Sequence, residues 1–203
     1  MYTACFIRRH IFRLPSGRLF TTRELLGYGT RVAVDQTISK LVRKGIIVRL
    51  ARGVFTRQDS DLTNISAIDV ARVKAQSFGK QIAAWGGQLA RELGLPSDAE
   101  PEQIFSVNGS SSSFKFGKIT IHFRKTAARK LRFGDSRSGQ ALRALWHLGR
   151  RQVNRAQIRL ATDRWLRTDR DEARLIVCWL PAWLSSYFMH RRLCLASWTA
   201  HPH

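Results

Sequence analysis

Acidic residues are scarce in this chain of 203 residues: 14 Asp and Glu stand against 35 Lys and Arg, a formal net charge of +21 with a pI near 11.5. That excess goes beyond what solubility requires and points to a polyanionic partner. Cysteine is nearly absent. Cys5, Cys178 and Cys194 are isolated and odd in number, which excludes a disulfide framework and a zinc knuckle. Long apolar runs are missing as well, since the longest, Leu175 to Leu184, is far too short to span a bilayer. No secretory signal is legible, because Arg8, Arg9 and His10 interrupt the apolar residues at the N-terminus.

Catalytic chemistry is equally thin. The six histidines are scattered, with no HExxH pattern and no Cys/His pair at metal-ligand spacing. Gly27-Tyr28-Gly29 is too short for a dinucleotide fingerprint, and Ser112 stands where a phosphate loop ending in Gly117–Lys118 needs its first glycine. Ser110 to Ser113 have no identifiable base, and Asp163, Asp169, Asp171 and Glu172 lie among arginines, as surface ion pairs do. The expectation is a cytoplasmic, non-enzymatic protein with no metal, no cofactor and no membrane segment.

What is present folds. Hydrophobic residues make up 44 % of the chain, too many for a disordered basic tail and enough for one large or two small cores. The charge is uneven: residues 1–57 carry net +10, 58–113 carry −3, 114–151 carry +10 and 152–203 carry +4. Two basic blocks with a polar, turn-forming seam between them predict a DNA-binding module over 1–57, a linker over 58–64, an α+β module over 65–192 and a tail over 193–203.

The first module reads as a winged helix-turn-helix. Thr21 followed three residues later by Glu24 is a capping box that starts a short helix through Leu25 and Leu26. Gly27 and Gly29 break it, and Thr30 is the N-cap of a second helix from about Arg31 to Lys44, stopped at Gly45. On that helix Val34, Ile38, Leu41 and Val42 share one face. Arg31, Asp35, Gln36, Ser39, Lys40 and Arg43 are left on the other, the kind of polar face a major groove requires. Alternation from Ile46 to Ala51, a turn at Ala51–Gly53 and a return through Val54 and Phe55 predict a two-stranded wing. Arg49 and Arg52 lie near its tip, within reach of phosphates or the minor groove. A helix over about Phe6 to Phe12 completes the core. The candidate DNA contacts are therefore Arg31, Gln36, Ser39, Lys40, Arg43, Arg49 and Arg52.

The stretch from Phe20 to Phe55 resembles the N-terminal winged helix of AbiEi-type antitoxins, the antitoxin half of type IV toxin–antitoxin (abortive infection) systems. The matching positions are Arg31, Ala33, Val34, Asp35, Gln36, Ser39, Leu41, Gly45, Ile47, Arg49, Arg52, Gly53 and Phe55, with Phe55 where the family often has Tyr. The resemblance implies binding to double-stranded DNA at the protein's own promoter and repression of its own operon. It further implies opposition to a nucleotidyltransferase toxin without a stable complex.

In the second module, Phe78, Ile82, Trp85 and Leu89 fall on one helical stripe, with Gly86 and Gly87 marking a break or a close backbone approach and Pro96 ending the segment. Three short strands follow, with turn signals at Asn108–Gly109 and Gly117, which predicts an antiparallel sheet. Residues 137–150 return to helical spacing, with Arg143 and Arg150 outside. Further helices are expected over about 154–167, 169–179 and from Pro181, and Trp165, Trp179, Trp183, Tyr187 and Phe188 are assigned to the core. The order of these motifs also resembles the AbiEi-type family, over about residues 6–192.

A second basic run, Arg124, Lys125, Arg129, Lys130 and Arg132, extends a DNA footprint, binds an RNA or nucleotide phosphate, or is a solvated edge. Two other functions stay open beside the antitoxin: a plain winged-helix regulator with a sensing or oligomerising C-terminal module, and an RNA-binding factor. The fold class expected is α+β.

Overall fold

The computed structural model describes residues 2–97, 103–132, 134–162 and 179–188. The fold is mixed α+β, with a small antiparallel sheet, a second mixed sheet and several helices. The chain divides into two compact units, Met1–Ile82 with Glu102–Lys125, and Ala83–Pro101 with Thr126–His203. The stretch 58–64 falls inside the first unit. Its Ser60 is buried, accepts the Gly17 amide at 2.9 Å and shares a hydrogen bond with Thr56 at 3.0 Å.

The first unit begins with α1 (Tyr2–Arg13), β1 (Phe20–Thr21), a 3-10 turn over Arg23–Tyr28 and α2 (Arg31–Arg43), followed by β2 (Ile47–Ala51) and β3 (Val54–Arg57). The three strands form an antiparallel sheet in the order β1-β3-β2. Ile7 and Ile11 of α1 share one core with Phe20, Leu25, Val34, Ile38, Leu41, Ile47 and Phe55. The expected turn between β2 and β3 is present, with Gly53 at φ +81, a value that favours glycine.

The same unit continues with α3 (Ala67–Ser77), β5 (Gln103–Val107), β6 (Ser112–Phe116) and β7 (Ile119–Lys125), and β4 (Ile82–Ala84) carries the chain out of it. A full capping box of Ser66 and Asp69 starts α3. Gly79, at φ +66, ends it in a Schellman motif, with the Lys80 amide bonded to the Ala75 carbonyl. The expected helical stripe Phe78–Ile82–Trp85–Leu89 is therefore not a helix. The glycine stops α3 before Phe78, which is exposed, and Ile82 enters a strand. On α3, Val70 packs with Ala51 and Val54, while Ala71 and Ala75 pack with Phe105, Val107, Ile121 and Phe123.

The three later strands are not all antiparallel. In the sheet order β4-β5-β7-β6, β6 and β7 form a hairpin through Gly117 (φ +57), but β5 runs parallel to β7. Asn108–Gly109 is no hairpin turn, because neither residue adopts the positive φ that a type I′ turn needs. Instead Asn108 is tied to the segment before β4, accepting the Gln81 amide at 2.9 Å and donating its own amide to the Gln81 carbonyl. The chain then passes to the far edge, and the more apolar β7, with Ile121 and Phe123 buried, takes the centre.

The second unit holds α4 (Gly86–Glu92), α5 (Ala128–Leu131), α6 (Arg137–Leu148), α7 (Arg155–Thr162) and a helical segment over 182–188. Its core joins Leu89 and Ala90 to Leu142, Leu145, Ile158, Leu184 and Phe188. Trp179 is not part of it, being 49 % exposed with the Arg132 guanidinium 4.3 Å from its ring centre. Arg143, expected outside, is 3 % exposed. Its guanidinium reaches back to the Gly134 carbonyl and to Asp135, which keeps the charge partnered. Burial lowers the Arg143 pKa, and Asp135 opposes that shift. Trp165, the helix over 169–179, the acidic group Asp163–Glu172 and the tail over 193–203 lie outside the described residues, apart from Trp179.

The glycine pair does mark a close approach: a Cβ on Gly86 would lie 2.6 Å from His147 Cβ and 2.7 Å from the Arg143 backbone carbonyl oxygen. Gly86→Ala is therefore expected to destabilise the second unit by about 1–3 kcal/mol through overpacking. All six tryptophans belong to this unit's sequence, so a urea titration followed by their fluorescence reads it directly. An unchanged midpoint would mean that α4 and α6 separate at no cost.

Candidate nucleic-acid interface

The candidate interface is built on α2, and both ends of that helix are written locally. Thr30 caps the start, its hydroxyl accepting the Ala33 amide at 3.4 Å. Gly45, at φ +64, closes the end in a Schellman motif, its amide bonded to the Val42 carbonyl and that of Ile46 to the Leu41 carbonyl. Ahead of it, the expected reciprocal bonds of Thr21 and Glu24 are present: Glu24 accepts from the Thr21 amide at 2.9 Å, and Thr21 accepts the Glu24 amide at 3.4 Å. Gly29 allows the tight link, since a Cβ there would sit 2.6 Å from the Thr3 side chain.

Val34, Ile38 and Leu41 of α2 are buried, and Val42 is partly so. The opposite face carries an open depression of about 600 Å³ lined by Val32, Asp35, Gln36, Ser39, Lys40 and Arg43. Arg31 pairs with Asp35 at 2.8 Å, both groups exposed. Ser39 donates its hydroxyl proton to the Asp35 carbonyl at 2.8 Å, which leaves it to act outward only as an acceptor. Gln36, Lys40 and Arg43 make no hydrogen bond or ion pair among the described residues, so their donors point to solvent unspent.

Arg49 and Arg52 are exposed on the β2–β3 hairpin. The hairpin turn is fixed to the helical part by the Thr22 amide, which donates to the Gly53 carbonyl at 3.2 Å. All seven sequence-predicted contacts thus lie in one unit, five on one helix and two on one hairpin. The second basic run is divided between the two units. Arg124 and Lys125 belong to β7 in the first unit, whereas Arg129, Lys130 and Arg132 belong to the second. There Arg129 and Lys130 lie 5.2 and 5.0 Å from the ring centre of Trp146, and burial and Arg129 together lower the Lys130 pKa.

Two residues escape the sequence reading. Val32 is 65 % exposed within the α2 depression, and its position off the apolar stripe is the signal that would have found it. Lys74 of α3 donates to the Arg52 carbonyl at 2.6 Å, and its pKa is lowered by burial first and then by Arg52 and Arg49. Nothing in local spacing links residue 74 to residue 52. Among the described residues no group of three or more His, Cys, Asp or Glu is placed to hold a metal ion, and no helix is long and apolar enough to cross a membrane.

Residues 6–173 match the model of DUF6088, a family of unknown function, and the chain belongs to that family. No curated protein and no solved structure matches the chain.

The local bonds on α2 are separable by their cost. Thr30→Ala is expected to lower stability by about 0.5–2 kcal/mol, because an orphan amide loses its cap. Asp35→Ala, which removes only an exposed ion pair, should cost roughly 0.5 kcal/mol or less. Urea denaturation followed by circular dichroism measures both. Equal losses would show that the exposed ion pair holds the helix as firmly as the cap does.

Proposed function

We propose that this member of DUF6088 is a sequence-specific binder of double-stranded DNA that represses its own operon and serves as the antitoxin of a type IV toxin–antitoxin pair. In this reading the first 57 residues act as a winged helix-turn-helix. α2 enters the major groove with Arg31, Gln36, Ser39, Lys40 and Arg43, and the β2–β3 hairpin sets Arg49 and Arg52 against the flanking backbone. The observation that carries it is the outer face of α2, where the donors of Gln36, Lys40 and Arg43 have no partner among the described residues, in a chain of net charge +21. Gln suits adenine, Arg and Lys suit guanine, and Val32 offers an apolar contact for a thymine methyl. The antitoxin half of the proposal rests on the AbiEi-type resemblance, which supplies a nucleotidyltransferase toxin opposed without a stable complex. Cytoplasmic location and the lack of enzymatic activity belong to the same reading.

Binding to a duplex from the protein's own upstream region, compared with unrelated duplex, tests the DNA half. Gln36→Ala is expected to relax discrimination at one or two base pairs, about 1–3 kcal/mol, with little loss on unrelated DNA. Arg52→Ala should weaken binding to all duplexes alike and flatten the salt dependence by about one phosphate's worth. Equal losses on both duplexes for every α2 variant would remove α2 as the reading helix.

The antitoxin half is tested by growth, with the neighbouring gene induced from a foreign promoter and the full chain supplied alongside. Rescue is expected, and it should survive the Gln36→Ala/Arg52→Ala double substitution, which weakens promoter binding and leaves the second unit's residues unchanged. A toxic neighbour that the full chain does not neutralise would leave the DNA-binding regulator without an antitoxin role.

A further inference from the structure

α3 stands between two cores, and its Lys74 follows Val70 by one helical turn, on the side that packs with Ala51 and Val54 of the hairpin. Two contacts fix the ammonium. It donates to the Arg52 carbonyl at 2.6 Å and sits 4.8 Å from the ring centre of Phe114 on β6. One of its three donors is thereby spent and two remain. Arg49 and Arg52 are exposed on the hairpin whose turn carbonyl the ammonium holds, and their charges oppose its own. Among the described residues none of the three cations pairs with a carboxylate, and Asp69, the acid on α3, is engaged by Ser66 and Arg72. Three cations gathered on one hairpin and the helix bonded to its turn, with no carboxylate paired to them among the described residues, cost folding free energy, and an external anion would offset that cost.

We propose that Lys74, Arg49 and Arg52 form one subsite for a backbone phosphate of duplex DNA. The ammonium from α3 is its fixed member and the two guanidinium groups on the hairpin are its adaptable ones. The ammonium is a compact point charge, suited to a phosphate rather than to a base edge, so the subsite positions the duplex without reading it. It also extends the contact beyond the helix and hairpin, to a residue that the chain supplies 22 positions after Arg52. This inference rests on the DNA-binding reading above.

The test is anisotropy titration of the full-length protein against its upstream duplex and an unrelated duplex, from about 50 to 200 mM salt. Lys74→Met keeps an unbranched stem to lie against Phe114 and removes the charge. It should weaken both duplexes equally, by roughly three- to tenfold, and flatten the slope of log affinity against log salt by about 0.9, the contribution of one phosphate. Lys74→Arg should restore both. Circular dichroism verifies that the variant is folded, and Lys74→Gln replaces Lys74→Met should the latter melt below the assay temperature. A neutral variant with the wild-type salt slope overturns the subsite, whatever its affinity, because a merely structural role changes affinity without releasing one counterion fewer. Were Gln36→Ala to lose discrimination while Lys74→Met kept the wild-type slope, only the subsite would fall. A wild-type chain that binds neither duplex would overturn the DNA reading, and the subsite with it.

Discussion

Val34, Ile38 and Leu41 of α2 share one core with Ile7 and Ile11 of α1 and with Phe20 and Phe55 of the small sheet, and this contact sets the rotation of α2 about its own axis. Each such side chain is worth about 1.5–3 kcal/mol when fully buried, far more than any exposed pair on the same helix. Rotating α2 to expose other residues would therefore forfeit several kcal/mol. The polar face is consequently not chosen by its polar residues. It is whatever remains once the apolar stripe has been satisfied, and Gln36, Ser39, Lys40 and Arg43 are presented together because the core holds their backs.

A second constraint follows from the charge. With 35 basic and 14 acidic residues, only a minority of cations can each have a carboxylate of their own, and among the described residues several lie against an aromatic ring instead. Arg8 and Arg57 lie near Phe12, Arg23 near Phe78, Arg129 and Lys130 near Trp146, and Arg132 near Trp179. Such contacts contribute about 0.5–1 kcal/mol at exposed sites and leave the charge intact, so the surface stays strongly positive. Arg143 differs, being buried and held by the Gly134 carbonyl and Asp135. There the charge closes the start of α6 rather than facing a partner.

The parts legible in the sequence were those determined within a few residues. The caps at Thr30 and Gly45, the Thr21–Glu24 hydrogen bonds, the hairpin turn at Gly53 and the apolar stripe of α2 depend on local bonds and local periodicity and stand where the residues put them, although Thr21 lies in β1 and the 3-10 turn after it is capped by Thr22 and runs through Gly27. What escaped depends on distant partners. Asn108–Gly109 carries a hairpin signal, but its polar side chain finds Gln81 instead, and β7 inserts between β5 and β6. Arg143 occupies a polar position of a helical pattern, yet Asp135 and the Gly134 carbonyl lie within its reach, and a long side chain can be buried when its head is satisfied. Phe78 extended a plausible stripe until Gly79 took a positive φ and ended α3 one residue earlier. Lys74 meets Arg52 only through the packing of α3 on the hairpin, which no spacing rule encodes.

The polar face of α2 also divides its labour. Arg31 and Ser39 are held, the one by the Asp35 carboxylate and the other by the Asp35 carbonyl, while Gln36, Lys40 and Arg43 bond to none of the described residues. Held groups lose less freedom on binding, and uncommitted ones supply reach at a larger entropic cost. The exposed Arg31–Asp35 pair is worth only about 0.3–0.5 kcal/mol, less than the roughly 1–3 kcal/mol of a bidentate base contact. A guanine within reach would therefore take Arg31 from Asp35, and the freed carboxylate would then repel a neighbouring phosphate unless a cytosine amino group met it. On the proposed reading, Asp35 would penalise a site that offers it a phosphate and no amino group, which works against the non-specific attraction of a charge of +21.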